Sequence, residues 1–187
     1  MINKPFLQLD HNLEKEIKGC VREIPNFPKP GILFKDITPI LSDAKLTNKV
    51  LMAMENHYRP MNLDQIVGIE SRGFLFGILL ASKLNIPFIP IRKKGKLPFS
   101  TLSQSYNLEY GEACLEIHLD AIQPGQRILV HDDLLATGGT IEAACKLIRR
   151  MEGEIVACSF IINLESLGGI QKLRNFTNNI DYLANYE

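Results

Sequence analysis

The alternation of short β-branched segments with stretches of helical periodicity constrains the fold of this chain more than any other feature. Four apolar runs rich in Ile and Val cover residues 65–69, 87–91, 127–131 and 154–162. Between them, apolar residues recur every three or four positions, which is typical of helices that pack on a sheet. Repeated βαβ units bury a parallel sheet between two layers of helices. The sequence therefore predicts an α/β fold with a mainly parallel, twisted sheet flanked by helices.

Length and charge restrict the class of protein. The 187 residues are 45% hydrophobic, and no repeat or Ser/Gly-rich linker divides them, so we expect one domain over residues 1–187. The formal net charge of +0 argues against a nucleic-acid partner and favours a small-molecule ligand. Residues 1–18 lack a signal-peptide core, and the longest apolar stretch, residues 73–81, is too short to span a bilayer. We expect a cytoplasmic protein without a membrane partner.

A polar insertion interrupts the alternation between the second and third runs. Residues 92–111 begin with basic side chains and continue with a Ser/Thr-rich stretch. Such a long insertion in a compact domain is usually an active-site flap. The following segment, residues 114–120, alternates apolar and polar side chains, which predicts a strand that returns from the flap. In that strand Leu119 would face inward and Glu116 outward.

The strongest chemical signal lies in residues 128–140, where an apolar strand ends in two carboxylates, a turn of small residues and a helix start. At the carboxyl edge of a parallel sheet, such a turn exposes successive backbone N–H groups, and the helix N-terminus adds partial positive charge. The glycines allow close approach, and the threonine hydroxyls add hydrogen bonds. The pattern predicts a phosphate monoester site formed by Ala136, Thr137, Gly138, Gly139 and Thr140.

Two adjacent aspartates, Asp132 and Asp133, precede this turn. Neighbouring carboxylates at a strand end point in different directions, so they can accept hydrogen bonds from two vicinal hydroxyls. Alternatively, either one could contact a magnesium ion that is bound mainly through water and substrate oxygens. A helix-capping aspartate would explain either residue alone. Since the P-loop and Rossmann patterns are both missing, ATP and NAD are disfavoured and a ribose 5-phosphate fits best.

Residues 128–140 resemble the phosphoribosyl pyrophosphate (PRPP) motif of the type I phosphoribosyltransferase family, in the form typical of adenine phosphoribosyltransferases. Four other segments are similar to family segments in the same order, namely residues 27–39, 68–74, 92–98 and 108–111. The resemblance runs from about residue 21 to the end of the chain. It implies a small hood from about residues 1–37, a flexible flap over about residues 92–111, and a homodimer.

The resemblance implies an activity, the formation of AMP and diphosphate from adenine and PRPP with Mg²⁺ as cofactor. Two alternatives stay open. A xanthine-type or other oxopurine phosphoribosyltransferase would share the PRPP motif, and a regulator could sense PRPP without catalysing transfer. Such regulators usually add a DNA-binding domain, for which the segment before the first motif is short and weakly basic.

The resemblance also assigns roles in catalysis and pyrophosphate binding. It implies that Glu109 on the flap acts as general acid or base at the purine, with Tyr110 beside it, and that Arg72 contributes to catalysis. The pyrophosphate would contact backbone amides and cations, some of them reaching the site of a neighbouring subunit. These residues are Glu70, Ser71, Arg72, Arg92, Lys93 and Lys96.

For the base, the resemblance implies that adenine lies between Phe34 and Leu164. The backbone of Leu33 and Lys35 would hydrogen-bond its edge, which distinguishes the 6-amino donor of adenine from the carbonyl of an oxopurine. Three positions depart from the family pattern, namely His131, Asn163 and Ile170.

Overall fold

Strands and helices alternate along the described part of the chain, residues 11–107 and 112–187 of the computed structural model. The strands are β1 (Arg22–Pro25), β2 (Leu33–Asp36), β3 (Gln65–Ile69), β4 (Phe88–Lys93), β5 (Thr101–Asn107), β6 (Glu112–His118), β7 (Arg127–His131), β8 (Leu134–Leu135), β9 (Glu154–Leu164) and β10 (Ile180–Tyr186). The helices are α1 (His11–Cys20), α2 (Thr38–Ser42), α3 (Ala44–Tyr58), α4 (Gly73–Leu84), α5 (Gly139–Arg150) and α6 (Gly169–Leu173). Short 3₁₀ turns follow α3 at Arg59–Met61 and β9 at Glu165–Leu167.

A mainly parallel sheet forms the centre of the structure, as the alternation predicts. Strands β10, β9, β7, β3 and β4 run parallel in that order, and antiparallel β6 and β5 extend the sheet beyond β4. Every residue of β3 is buried, because helices cover both faces of the sheet. Strands β3 and β7 occupy the predicted residues, which confirms the α/β prediction.

Helices form hydrophobic layers on the two faces of the sheet. On one face α1, α3 and α4 pack through side chains such as Ile17, Met54 and Phe76. On the other face α5 packs through Ile148 and its neighbours. Helix α3 begins where the side chain of Asp43 accepts hydrogen bonds from the backbone N–H groups of the first turn. These layers fix the carboxyl edge of the sheet, where the predicted phosphate turn lies.

Two small antiparallel units extend from this body. Strands β1 and β2 form a separate two-stranded sheet in the predicted hood, and β5 and β6 form the arms of the predicted flap. The returning strand ends at His118, earlier than expected. Leu119 follows the strand and is 53% exposed, so the prediction that it faces inward is wrong. Glu116 is buried instead of outward, because its carboxylate accepts a hydrogen bond of 2.9 Å from the Gly95 N–H.

Helix α4 exposes part of its apolar surface. Leu75, Ile78 and Leu79 share one face of the helix at spacings of three and four residues, and they are 39%, 50% and 40% exposed. The helix is only twelve residues long. Across the described residues, no helix combines the length and the apolar character needed to cross a membrane. Among the residues that the structure describes, the exposed face of α4 forms an apolar surface patch.

Candidate active site

The two central strands, β3 and β7, bring polar residues together at one edge of the sheet. The chain continues from β3 to β4 on one side and from β7 to β9 on the other, so the direction of the strand order reverses between them. Such a reversal leaves a crevice beyond the carboxyl ends of the strands. A cleft of about 500 Å³ lies there. Its walls include Glu70, Ser71 and Arg72 after β3 and Asp132 and Asp133 after β7.

The predicted phosphate turn connects β8 to α5. Gly138 adopts φ +79° immediately before the helix, a left-handed conformation that glycine tolerates best. The N–H groups of the first helical turn have no partners within the helix, so an anion at this helix start would be stabilised. Ala136, Thr137, Gly139 and Thr140 all line a second, larger cleft of about 680 Å³.

The paired aspartates differ in exposure and in partners. Asp133 is 2% exposed, and its Oδ2 lies 3.1 Å from Nε of Arg72. Asp132 is half-buried, and its Oδ1 accepts a hydrogen bond of 2.9 Å from the Asp133 N–H. Burial raises the pKa of both carboxyls; the Asp133 charge adds to the rise at Asp132, whereas Arg72 opposes the rise at Asp133. Both side chains would favour ligand groups that donate hydrogen bonds or carry positive charge.

Arg72 sits between the two sides of the site. Its guanidinium carbon lies 4.9 Å from the centroid of the Phe34 ring, which is a cation–π arrangement. The same guanidinium pairs with Asp133, so its orientation is set from two directions. The Glu70–Ser71 peptide bond just before it is cis. Arg72 is thus a positioned cation on the wall of the polar cleft.

The basic residues at the start of the flap, Arg92, Lys93 and Lys96, differ in what they contact. Arg92 donates two hydrogen bonds, of 3.2 and 3.3 Å, to the Glu70 carboxylate, and the Lys93 N–H donates a third of 3.0 Å. Burial alone would raise the pKa of Glu70, but these donors outweigh it and lower that pKa. Lys93 lines the polar cleft, whereas Lys96 is exposed outside its lining and its carbonyl accepts from Arg92. Lys93 therefore lies at the predicted site, Arg92 contacts the site through Glu70, and Lys96 lies outside the cleft lining.

The larger cleft lies where the base-binding residues are predicted. Leu33, Lys35 and Leu164 line it together with the phosphate turn. Phe34 is not part of its lining, and its ring packs edge-to-face on Phe27 at a centroid distance of 5.1 Å. The two clefts share Tyr106 and Thr140. A ligand with a polar and an apolar end could therefore extend from one cleft into the other.

Comparison with known proteins identifies the family. The sequence profile described as Phosphoribosyl transferase domain matches residues 42–174. An adenine phosphoribosyltransferase from Cytophaga hutchinsonii is 50% identical over 174 residues, which are 93% of this chain and 96% of that relative. The chain belongs to the adenine phosphoribosyltransferase family.

Solved structures of other adenine phosphoribosyltransferases share the fold. The enzyme from Rhodothermus marinus is 44% identical with a TM-score of 0.89, over 95% of this chain and all of that one. The enzyme from Saccharomyces cerevisiae is 38% identical with a TM-score of 0.84, over 92% of this chain and 97% of that one. It was crystallised with adenine and D-2,5-dideoxy-2,5-imino-altritol 1,6-bisphosphate.

In this member of the adenine phosphoribosyltransferase family, the structure adds three residues to the site that the sequence analysis missed. Tyr106 on β5 lies 3.5 Å from the Thr140 hydroxyl and borders both clefts. Tyr186 at the end of β10 lines the larger cleft. Gly169 supports the phosphate turn from behind, because a Cβ there would lie 2.3 Å from the Ala136 carbonyl oxygen. Of the three, only Gly169 has a local sequence signal, because the Gly168-Gly169 dipeptide at the start of α6 is typical of a turn.

The three departures from the family pattern do not belong to the lining of the two clefts described above. His131 is fully buried, and burial lowers its pKa to about 4, so the ring is neutral near pH 7. Asn163 is also fully buried and donates a hydrogen bond of 2.7 Å to Oδ1 of Asn185. Ile170 packs against the hydrophobic layer around α5. Glu109 and Tyr110 lie outside the described residues, so their roles stay predictions.

Proposed function

We propose that this chain transfers the phosphoribosyl group of PRPP to adenine and releases AMP and diphosphate. One observation supports the proposal most directly, namely the meeting of a polar cleft and a more apolar cleft at Tyr106 and Thr140. A nucleoside monophosphate needs this combination, because its base is apolar on both faces while its sugar and phosphate are polar. Adenine and a bisphosphate are the ligands named for the Saccharomyces cerevisiae relative.

The sugar phosphate is assigned to the junction of the clefts. The 5-phosphate would accept hydrogen bonds from the backbone of the turn at residues 136–140, and the ribose hydroxyls would donate to Asp132 and Asp133. The diphosphate would lie beside Ser71, Arg72 and Lys93, which line the polar cleft. This orientation directs the anomeric carbon toward the cleft that is lined by Leu33 and Leu164.

The chemistry follows from the charges that develop during transfer. The anomeric C–O bond breaks as diphosphate leaves, which places positive charge on the ribose ring and negative charge on the leaving group. Arg72 stabilises the leaving group, and the buried carboxylates stabilise the ring. Purine N9 then forms the new C–N bond, and the N9 proton is lost. Flap closure would exclude water, which otherwise hydrolyses the cation.

Glu109 is assigned to proton transfer at the purine, with Tyr110 beside it. The arms of the flap, β5 and β6, are joined by the segment that contains these residues. On β5, Tyr106 borders both clefts. As the resemblance implies, the Glu109 carboxylate would act as the general acid or base at the purine.

Magnesium is proposed as a cofactor that enters with PRPP. Across residues 11–107 and 112–187, no three His, Cys, Asp or Glu side chains cluster closely enough to hold a metal ion. We propose that the cation binds mainly through substrate oxygens and water, and that Asp132, the more accessible carboxylate of the pair, or Asp133 could contact it. When bound, Mg²⁺ would neutralise charge on the diphosphate.

The cytoplasmic location stays a prediction.

A purine panel tests the proposed function. With PRPP and Mg²⁺, adenine should yield AMP, while hypoxanthine, guanine and xanthine should react at least about 100-fold more slowly in kcat/KM, since backbone groups that fit the adenine edge would face a carbonyl. The products are separated by HPLC. Preferred turnover of an oxopurine would establish the xanthine-type alternative. PRPP binding without any turnover would establish the sensory alternative.

We also propose that the chain forms a homodimer through the exposed face of α4. A second copy is the occupant that fits, because the apolar face carries no charge and can pack against itself around a two-fold axis. Helix α4 connects β3, which ends at Arg72, to β4, which carries Arg92 and Lys93. A partner on α4 would therefore lie beside both basic elements of the site, as expected for cations that reach a neighbouring subunit.

Ile78→Glu tests this interface. Light scattering should give twice the 21.1 kDa chain mass for the parent protein and the single-chain mass for the variant. A charge buried in an apolar interface would cost several kcal/mol, enough to dissociate the pair. Met52→Glu is the matched control, because Met52 is 58% exposed on α3 and lies outside this face. A dimer that persists in Ile78→Glu would place the interface elsewhere.

A further inference from the structure

We propose that the side chains of Lys35 and Tyr186 form a latch that positions the adenine-reading strand β2 against the C-terminal strand β10. The inference rests on the proposed function and goes beyond it. The backbone of Lys35 is expected to read the base, but the resemblance gives no role to its side chain or to Tyr186. The latch makes both of them positioning residues for the base.

The Lys35 ammonium is directed into the protein. Lys35 is 8% exposed, although lysine is almost never buried unless it is paired. Across the hood sheet it pairs in register with Glu23, and their side chains form an ion pair. Its Nζ also lies 4.1 Å from the centroid of the Tyr186 ring. The cation therefore connects β1, β2 and β10.

Tyr186 is held from several sides. It pairs in register with Leu164, which lines the base cleft, and it lines that cleft itself. The Lys18 ammonium on α1 lies 5.5 Å from the same ring. Burial, together with the carboxylates of Glu23 and Glu14, raises the pKa of Tyr186 to about 12, so the ring stays neutral and keeps its cation-attracting face. The contacts of Tyr186 with β9, α1 and Lys35 therefore provide a position against which β2 can be held.

The hood needs such an anchor because it is not part of the main sheet. Strands β1 and β2 hydrogen-bond only to each other in the described sheets, and a two-stranded unit is marginally stable alone. Within β2, Lys35 is the one residue classed as buried, while Leu33 is 48% exposed. The distance between the base-reading backbone and Leu164 therefore depends on where the Lys35 side chain is held.

The test measures KM for adenine and for PRPP in four single variants and one double variant of the intact chain. Lys35→Met and Tyr186→Leu should each raise the adenine KM about tenfold, the effect of losing one desolvated cation–π contact. The PRPP KM should change by less than about twofold, because the phosphate turn is untouched. Tyr186→Phe keeps the aromatic face and should restore an adenine KM near that of the parent. Lys49→Met is the matched control, since Lys49 forms an exposed ion pair of 2.7 Å with Glu16.

The double variant Lys35→Met/Tyr186→Leu separates a latch from direct ligand contact. Because the two side chains of a latch act as one unit, the adenine KM of the double variant should be no higher than that of either single variant. Additive losses would mean that the Lys35 side chain contacts the substrate, and equal rises in both KM values would mean general loosening; either result overturns the latch. An unchanged adenine KM in Lys35→Met would also overturn it. Absence of AMP formation by the parent protein would instead contradict the proposed function.

Discussion

Asp133→Asn should lower kcat/KM for PRPP about 100-fold and leave the fold intact. The expected loss arises because a buried carboxylate accepts charge-assisted hydrogen bonds from the ribose hydroxyls and stabilises positive charge on the ribose ring. A neutral amide does both less well. Asp133 is 2% exposed and pairs with Arg72, so water has little access to the position and cannot take over the hydrogen bonds of the carboxylate. Steady-state kinetics with varied PRPP measure the effect, with Asp64→Asn as a control at a carboxylate that accepts from the Arg127 N–H away from the clefts. Unchanged PRPP kinetics would remove Asp133 from the site.

The stability of the same variant should depend on pH in a defined direction. Burial raises the Asp133 pKa in the folded state above its unfolded value. The contribution of this group to the free energy of unfolding is therefore fully present below about pH 4, the unfolded pKa, and is lost as the pH rises through the folded pKa. Asparagine does not titrate. Urea unfolding from pH 4 to 8 should accordingly show Asp133→Asn gaining stability relative to the parent as pH increases.

Much of the site could be predicted from the sequence because its main residues are neighbours in the chain. The phosphate turn and the aspartates are set by local rules, because a strand, two carboxylates and a Gly-rich helix start are contiguous in residues 128–140. The parallel sheet follows from periodicity in the same way. The structure places Glu70, Arg72 and the aspartates around one cleft because β3 and β7 are adjacent, which the βαβ pattern favours but does not dictate.

The parts that sequence could not provide depend on contacts between distant segments. Glu116 was expected outward from its alternation, yet the Gly95 N–H on the neighbouring turn draws it inward. Tyr106 and Tyr186 reach the clefts only because a flap arm and the last strand end there. No local pattern distinguishes these aromatic residues from core residues. The close approach of Gly169 to the phosphate turn is likewise visible only after α6 has packed against it.

That close approach makes Gly138→Ala the second change with a large expected effect. A Cβ on Gly138 would lie 2.9 Å from the Gly169 carbonyl oxygen and 3.1 Å from its Cα, so one backbone segment must move. Gly125 is a close match, since it has the same φ of +79° but nothing within 4 Å of an added Cβ. Both alanine variants should lose about 1 kcal/mol of stability from the left-handed conformation.

Only Gly138→Ala should also lose activity, by about 100-fold in kcat/KM, because the backbone shift that relieves the contact with Gly169 misplaces the N–H groups that hold the 5-phosphate. Thermal melts and AMP formation, measured side by side on both variants, separate the two effects. If Gly125→Ala lost as much activity as Gly138→Ala, the loss would reflect global destabilisation. If Gly138→Ala kept full activity, the turn before α5 would not be the phosphate site, since its backbone would have moved without consequence.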